Sequence, residues 1–221
     1  MYYDIHTHNN KENEKNKCRM VSLQAKGDCV FPPFSTAEDR PADYFYSLGI
    51  HPWFINEIHL EQDIKYLRKY APLSEVKAIG ECGLDKLCQT NFELQKKVFI
   101  EQITISEKIE KPLIIHCVKS FNELITLKKD LKPHQTWIIH GFRGKPEQAK
   151  QLILHNFFLS FGPLYHPDTL KETPLNKIFF ETDDSNEDIS SVYKKAAETL
   201  IIPEEKLVRQ IRNNVGSVFQ F

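Results

Sequence analysis

Asp4, His6 and His8 are spaced two apart in a run that otherwise reads as a β-strand, and strand side chains at i and i+2 point to one side. Further along, short apolar runs end in turn on His51, Glu81, His116, His140 and Asp183. Each run therefore stops at a residue able to bind a metal ion. Neutral imidazoles and carboxylates without thiolates suit zinc or manganese and leave magnesium open. Two such ions about 3.5–4 Å apart need a bridging carboxylate, and they lower the pKa of a water and clamp a phosphate. Glu81 or Asp183 can supply the bridge, and Asp183 is the candidate general base. A lone strand-end histidine is more often structural than a ligand. The ordered set carries the reading, because desolvated charges need partners. His59, His134, His155 and His166 fall in helix-like or loop contexts and read as surface residues.

The elements that must position this set follow from periodicity. Runs rich in β-branched and aromatic residues at 2–6, 19–24, 44–51, 76–81, 112–116, 136–140, 157–161 and 177–182 read as strands. Helices are expected over 57–70, 92–109, 120–129, 146–155, 187–200 and 203–219, and 92–109 carries Phe92, Gln95, Phe99, Ile103 and Ser106 at helical spacing. Eight strands alternating with helices predict an α/β fold, a compact (β/α)8 barrel of the TIM type. The polar stretch 9–18 and the proline-bearing segment 25–43 lack an apolar face, so the first one or two barrel helices are expected to be missing or degenerate. In such a barrel the strand ends converge on one face, so residues far apart in sequence share one pocket.

Composition sets the outer bounds. The 221 residues read as one domain, 1–221, with 41% hydrophobic and 27% charged residues. A net charge of −1 offers no field for drawing in polyanions, so nucleic acid would have to be held by a local patch or by bound metal. Five cysteines without a C-x-x-C pair fit a reducing compartment. The N-terminus has neither a basic segment nor an apolar h-region, and no apolar span reaches the length of a membrane helix. The expectation is a cytoplasmic, monomeric protein with no membrane partner.

The blocks Asp4-Ile5-His6-Thr7-His8, Gly49-Ile50-His51-Pro52-Trp53, Ile79-Gly80-Glu81-Cys82-Gly83-Leu84-Asp85 and Glu181-Thr182-Asp183 resemble the TatD family of metal-dependent deoxyribonucleases. So do 112–117, His140-Gly141-Phe142-Arg143-Gly144, Asn214 and Phe219, in the same order. The resemblance implies a (β/α) barrel with two divalent ions, one on His6, His8 and Asp183 and the other on His116 and His140, with Glu81 bridging. It implies phosphodiester hydrolysis through a metal-activated water, commonly as a 3′–5′ exonuclease on DNA, with Asp183 and Glu81 catalytic and His51 binding substrate. The chain departs from the pattern at Val118, where the family carries an arginine, at Gly141 and at Ser185. Lys119 is the candidate replacement cation, and Arg143 is an added cation beside His140. Asp85 reads as a turn cap or as support for a ligand. Phe142, Phe158, Phe161 and Trp53 read as core and rim rather than as a base-stacking platform, although Trp53, beside His51, is able to stack on a nucleobase. The substrate is expected to be nucleic acid, at DNA ends, or a small phosphodiester. The competing readings are an amidohydrolase-like deacylase, disfavoured because Glu81 stands where a bridging lysine would, and a metal-binding accessory protein.

Overall fold

The structure is a computed structural model that describes residues 1–9, 16–27 and 44–219. Eight parallel strands pair in sequence order into one sheet: β1 (Tyr2–Thr7), β2 (Lys17–Gln24), β3 (Tyr44–Gly49), β4 (Val76–Asp85), β5 (Leu113–Val118), β6 (Trp137–Ile139), β7 (Phe158–Phe161) and β8 (Ile178–Phe180). The sheet curls until its edges meet, where a bridge pairs Thr7 with Asp183. There the Asp183 amide donates to the His6 carbonyl at 3.0 Å and the His8 amide donates to the Asp183 carbonyl at 3.2 Å. The expected TIM-type barrel is thus present, nearly closed.

The strands read as apolar runs because both faces are covered, as parallel sheets require. The buried set includes Ile79, Cys82, Leu113, Ile114, Ile115, Trp137, Ile138, Ile139, Phe161, Phe179 and Phe180. The helices around them are α1 (Leu60–Tyr70), α2 (Phe92–Ile109), α3 (Phe121–Leu131), α4 (Pro146–Leu154), α5 (Pro167–Glu172), α6 (Ile189–Leu200) and α7 (Glu204–Val218). In α2 the Asn91 side chain caps the first turn by accepting from the Leu94 amide, and Gln95, Phe99, Ile103 and Ser106 lie on its buried face. Phe92 is only half-buried.

Several boundaries differ from those the sequence suggested. β3 stops at Gly49, and His51 lies beyond it as the cap of a 3-10 turn over Pro52–Phe54. Proline at 52 removes an amide the ladder would need. β4 runs four residues past Glu81, to Asp85. Its glycines allow this: a Cβ on Gly80 (φ 150°) would lie 2.5 Å from the Ile114 carbonyl oxygen, and one on Gly83 (φ 141°) 2.1 Å from that of His116. The short helix α5 was not expected, and the helix expected over 57–70 begins at Leu60. The helices expected to be degenerate fall largely on 10–15 and 28–43, outside the described residues. Among the described residues no helix is long and apolar enough to cross a membrane.

Candidate metal centre

The C-terminal ends of β1, β5 and β6, the middle of β4 and the residue three beyond β8 bring His6, His8, Glu81, His116, His140 and Asp183 together, with His51 from the turn after β3. Glu81 is their common partner, and its two carboxylate oxygens face different groups. Oε2 lies 3.3 Å from His6 Nε2 and 3.4 Å from His8 Nε2. Oε1 lies 2.8 Å from His116 Nδ1, 2.8 Å from His140 Nε2 and 3.0 Å from His51 Nε2. Asp183 joins the first group, with Oδ1 3.6 Å from both His6 Nε2 and His8 Nε2. His6 and Glu81 are buried, whereas His8 is 39% exposed and faces a recess of about 360 Å³ over the cluster.

A second set of residues holds the first in place. Asp85 accepts from Trp53 Nε1 at 2.6 Å through Oδ2, which also lies 3.2 Å from His116 Nε2. Its other oxygen caps the turn by accepting from the Leu87 amide. Both supporting roles suggested for Asp85 are therefore present. Glu181, wholly buried, accepts from the Gly141 amide at 2.5 Å and sits 3.4 Å from His140 Nδ1. Helix α2 clamps the strand ends with two buried amides. Gln102 accepts from the Ile50 amide and donates to the Ile50 carbonyl, and Gln95 does the same for Asp85. His51 is fixed at both nitrogens. Nδ1 accepts from the Trp53 amide at 3.1 Å, so the neutral ring carries its proton on Nε2 and donates it to Glu81.

The electrostatics of the cluster follow from burial against pairing. Burial disfavours charge on His6, yet the adjacent Asp183 and Glu81 carboxylates raise it to about 9. Burial likewise opposes charge on His140, and Glu81 and Glu181 carry it well above its usual value. Burial pushes Glu81 up, but the surrounding imidazoles hold it well below the usual carboxylate range, and His6 and His140 hold Asp183 near 2 against the same burial. For His51 burial prevails and lowers the ring. An acidic pair ringed by imidazoles suits divalent cations, which replace protons on such donors. Two further observations fit ions here. Both ring nitrogens of His6 and Nδ1 of His140 are buried with no hydrogen-bond partner among the described residues, as is Oε2 of Glu181. Imidazole plus carboxylate is also the donor set that zinc, manganese and related ions take.

Other expected residues fall elsewhere. Lys119 and Arg143 follow β5 and β6 at the same end of the barrel but are exposed, and neither lines the recess over the cluster. Asp4 is not part of the cluster; its carboxylate accepts from the Thr182 amide at 3.0 Å and the Thr182 hydroxyl at 2.7 Å, stitching the barrel seam. His59, His134 and His166 are exposed, whereas His155 is half-buried at the end of α4. Phe142, Phe158 and Phe161 belong to the core, and Trp53 stands at the rim, 56% exposed. Sequence reading missed Glu181 and the α2 glutamines. Glu181 was visible as a second acid two residues before Asp183, and Gln102 as a polar residue seven after Gln95 on one helix face.

Comparisons with known proteins agree with this geometry. The uncharacterized metal-dependent hydrolase YabD of Bacillus subtilis is 29% identical over 205 residues, covering 83% of this chain and 80% of its own. An uncharacterized metal-dependent hydrolase of Buchnera aphidicola is 31% identical over 198 residues, covering 82% of this chain and 72% of its own. Among solved structures, the TatD homologue YjjV of Escherichia coli superposes with a TM-score of 0.78 at 22% identity, over 91% of this chain and 86% of that one. The family model described as TatD related DNase matches residues 3–220, so this chain belongs to the TatD-related DNase family of metal-dependent hydrolases.

Proposed function

We infer that this protein hydrolyses phosphodiester bonds with two divalent ions, zinc, manganese or magnesium, and acts on nucleic acid, as a deoxyribonuclease that trims DNA ends in the 3′–5′ direction. The observation that supports it most is the division of the Glu81 carboxylate. Oε2 serves His6 and His8, while Oε1 serves His116 and His140, as a bridging carboxylate does. One ion would sit on His6, His8 and Asp183, the other on His116 and His140. When bound, such ions supply Lewis acidity toward a phosphoryl group and lower the pKa of a water.

The remaining work belongs to side chains. Asp183, partly exposed toward the recess, takes the proton of the attacking water as general base. Glu81 holds the two halves of the cluster in register. His51, its Nε2 proton toward Glu81 and its ring lining the recess, meets the substrate. Lys119 and Arg143, exposed at the same end of the barrel, contact the flanking phosphates, Lys119 as a point charge and Arg143 through its planar guanidinium.

The test is metal-dependent hydrolysis of bis-p-nitrophenyl phosphate and of an end-labelled single-stranded oligonucleotide, wild type against Asp183→Asn. We expect cleavage that ladders from one end and is lost in the variant. Wild-type protein that binds metal yet cuts neither substrate overturns the reading. Cutting that survives Asp183→Asn removes Asp183 from its role.

A further inference from the structure

Beside the recess over the metal cluster lies a second one of about 490 Å³, whose lining includes Lys26, Trp53, Phe54, Asn56, His59 and Asp63, the last accepting from the Gly27 amide at 2.9 Å. The two recesses share one wall, because Trp53 and Phe54 line both. Each falls within the roughly 300–1,000 Å³ that small ligands occupy. The shared wall is unusual in its exposure. Trp53 is 56% and Phe54 55% exposed, while the other tryptophan, Trp137, is fully buried.

These two rings are held rather than loose. Trp53 Nε1 is tied to Asp85, its ring meets His51 edge-on at a centroid distance of 5.0 Å, and Phe54 lies 5.5 Å from the same imidazole. A fixed, solvent-facing aromatic pair beside a polar recess is the arrangement on which nucleobases stack. The cation is in place as well. Lys26 Nζ stands 5.9 Å from the centre of the Phe54 ring, on the second recess and away from the metal cluster. With the whole chain at −1, a polyanion has to be gripped by such local groups.

We propose that the second recess is a nucleotide subsite, in which the base next to the scissile phosphate stacks on Trp53 and Phe54 and Lys26 meets the following phosphate. The proposal rests on the phosphodiesterase reading above and specifies its substrate: a single strand of at least two nucleotides with an unpaired base, since a paired base keeps its faces in the duplex. Small phosphodiesters use only the first recess.

Tryptophan emission tests this directly, because Trp53 is exposed and Trp137 is sealed in the core. The metal-loaded full chain is titrated with a phosphorothioate-linked thymidine trinucleotide, which resists turnover, and with an abasic strand of the same linkages. Quenching by the base-bearing strand alone, absent from Trp53→Phe, is the expected result. In parallel, Trp53→Ala raises KM for the unmodified trinucleotide about tenfold, Lys26→Ala raises it less, and Trp53→Phe, which keeps a stacking ring but loses the bond to Asp85, restores it. Equal quenching by the abasic strand, or no emission change while the trinucleotide is still hydrolysed, overturns the subsite and leaves the phosphodiesterase standing. A Trp53→Phe variant as impaired as Trp53→Ala also overturns it, since the ring would then act only through Asp85. Selective quenching without hydrolysis of any phosphodiester keeps the subsite and fails the activity.

Discussion

The two halves of the metal cluster are built on different parts of the barrel. His6, His8 and Asp183 lie at the seam, where β1 meets the end of β8 through a single bridge. His116 and His140 stand on β5 and just after β6, inside a continuous ladder that runs from β4 to β7. The seam half is also the one that reaches solvent: His6 is fully buried, but His8 is 39% and Asp183 26% exposed, against 12% for His116 and 8% for His140. Supporting contacts follow the same division. Asp85 steadies His116 and Glu181 faces His140, while Asp4, the buried acid of the seam, accepts its hydrogen bonds from Thr182 rather than from a ligand side chain. Because a ligand fixed by a neighbour loses less freedom on binding metal, the ladder half should hold its ion more tightly. The seam half, open to the recess, is where a partly committed carboxylate can handle a proton.

Glu81 is the one residue both halves share, so changing it should have the largest effect. Glu81→Gln is expected to lower the content of both ions together and to abolish hydrolysis, with metal measured by inductively coupled plasma mass spectrometry. Loss of one ion alone would show that the halves are independent and would remove the bridge. The difference between the halves appears next in the order of metal loss. Dialysis against a weak chelator should strip the protein in two steps, and His8→Ala should delete the first step while leaving the second. A His116→Ala variant that removes the first step instead would invert the comparison.

Glu181 sharpens the comparison from the ladder side. Glu181→Gln keeps an acceptor for the Gly141 amide but removes the charge opposite His140 Nδ1. Affinity for the ladder-side ion should fall about 10- to 100-fold, the usual cost of losing a supporting contact to a metal ligand. The seam-side ion should bind as before. Equal loss at both sites would mean that Glu181 acts on the whole cluster through Glu81.

The same division explains what sequence alone could reveal. Ligand candidates were legible because each interrupts an apolar run with a residue that a buried strand end would not tolerate unpaired, as at Leu113–Val118 with His116. The barrel was legible from the alternation of runs and helices. Of the supports, Asp85 was legible, but Gln102 and Glu181 were not, because each depends on a partner distant in sequence: Gln102 serves Ile50 and Glu181 serves Gly141. Strand ends were also misplaced where local signals are weak. Glu81 looked like the end of β4, but the glycines on either side of Glu81 and Cys82 let β5 approach and the strand continue to Asp85. A glycine inside an apolar run reads as a break until the neighbouring backbone is seen.

The smallest expected effect lies behind the ladder half, where α3 covers β6. Lys128 Nζ donates to the Asn156 carbonyl and sits 4.3 Å from the centre of the Phe157 ring and 5.3 Å from that of Trp137. Burial, together with nearby Lys177, lowers its amine to about 7. The unfolded chain keeps this proton up to its ordinary pKa near 10.4. Between those values the unfolded state binds more protons than the folded one, so stability from this group rises as pH increases from about 7 toward 10. Below pH 7 both states are charged and the burial cost is constant. The side chain keeps some contact with solvent and its charge gains from the rings, so the change is on the order of 1 kcal/mol, or about 2–4 °C in Tm for a chain of this size. Lys128→Met should flatten the rise in thermal melts between pH 7 and 9.5, with metal content unchanged. A rise that persists unaltered in that variant would place its origin elsewhere, and a simultaneous loss of the ladder-side ion would mean that packing behind β6 also sets His140.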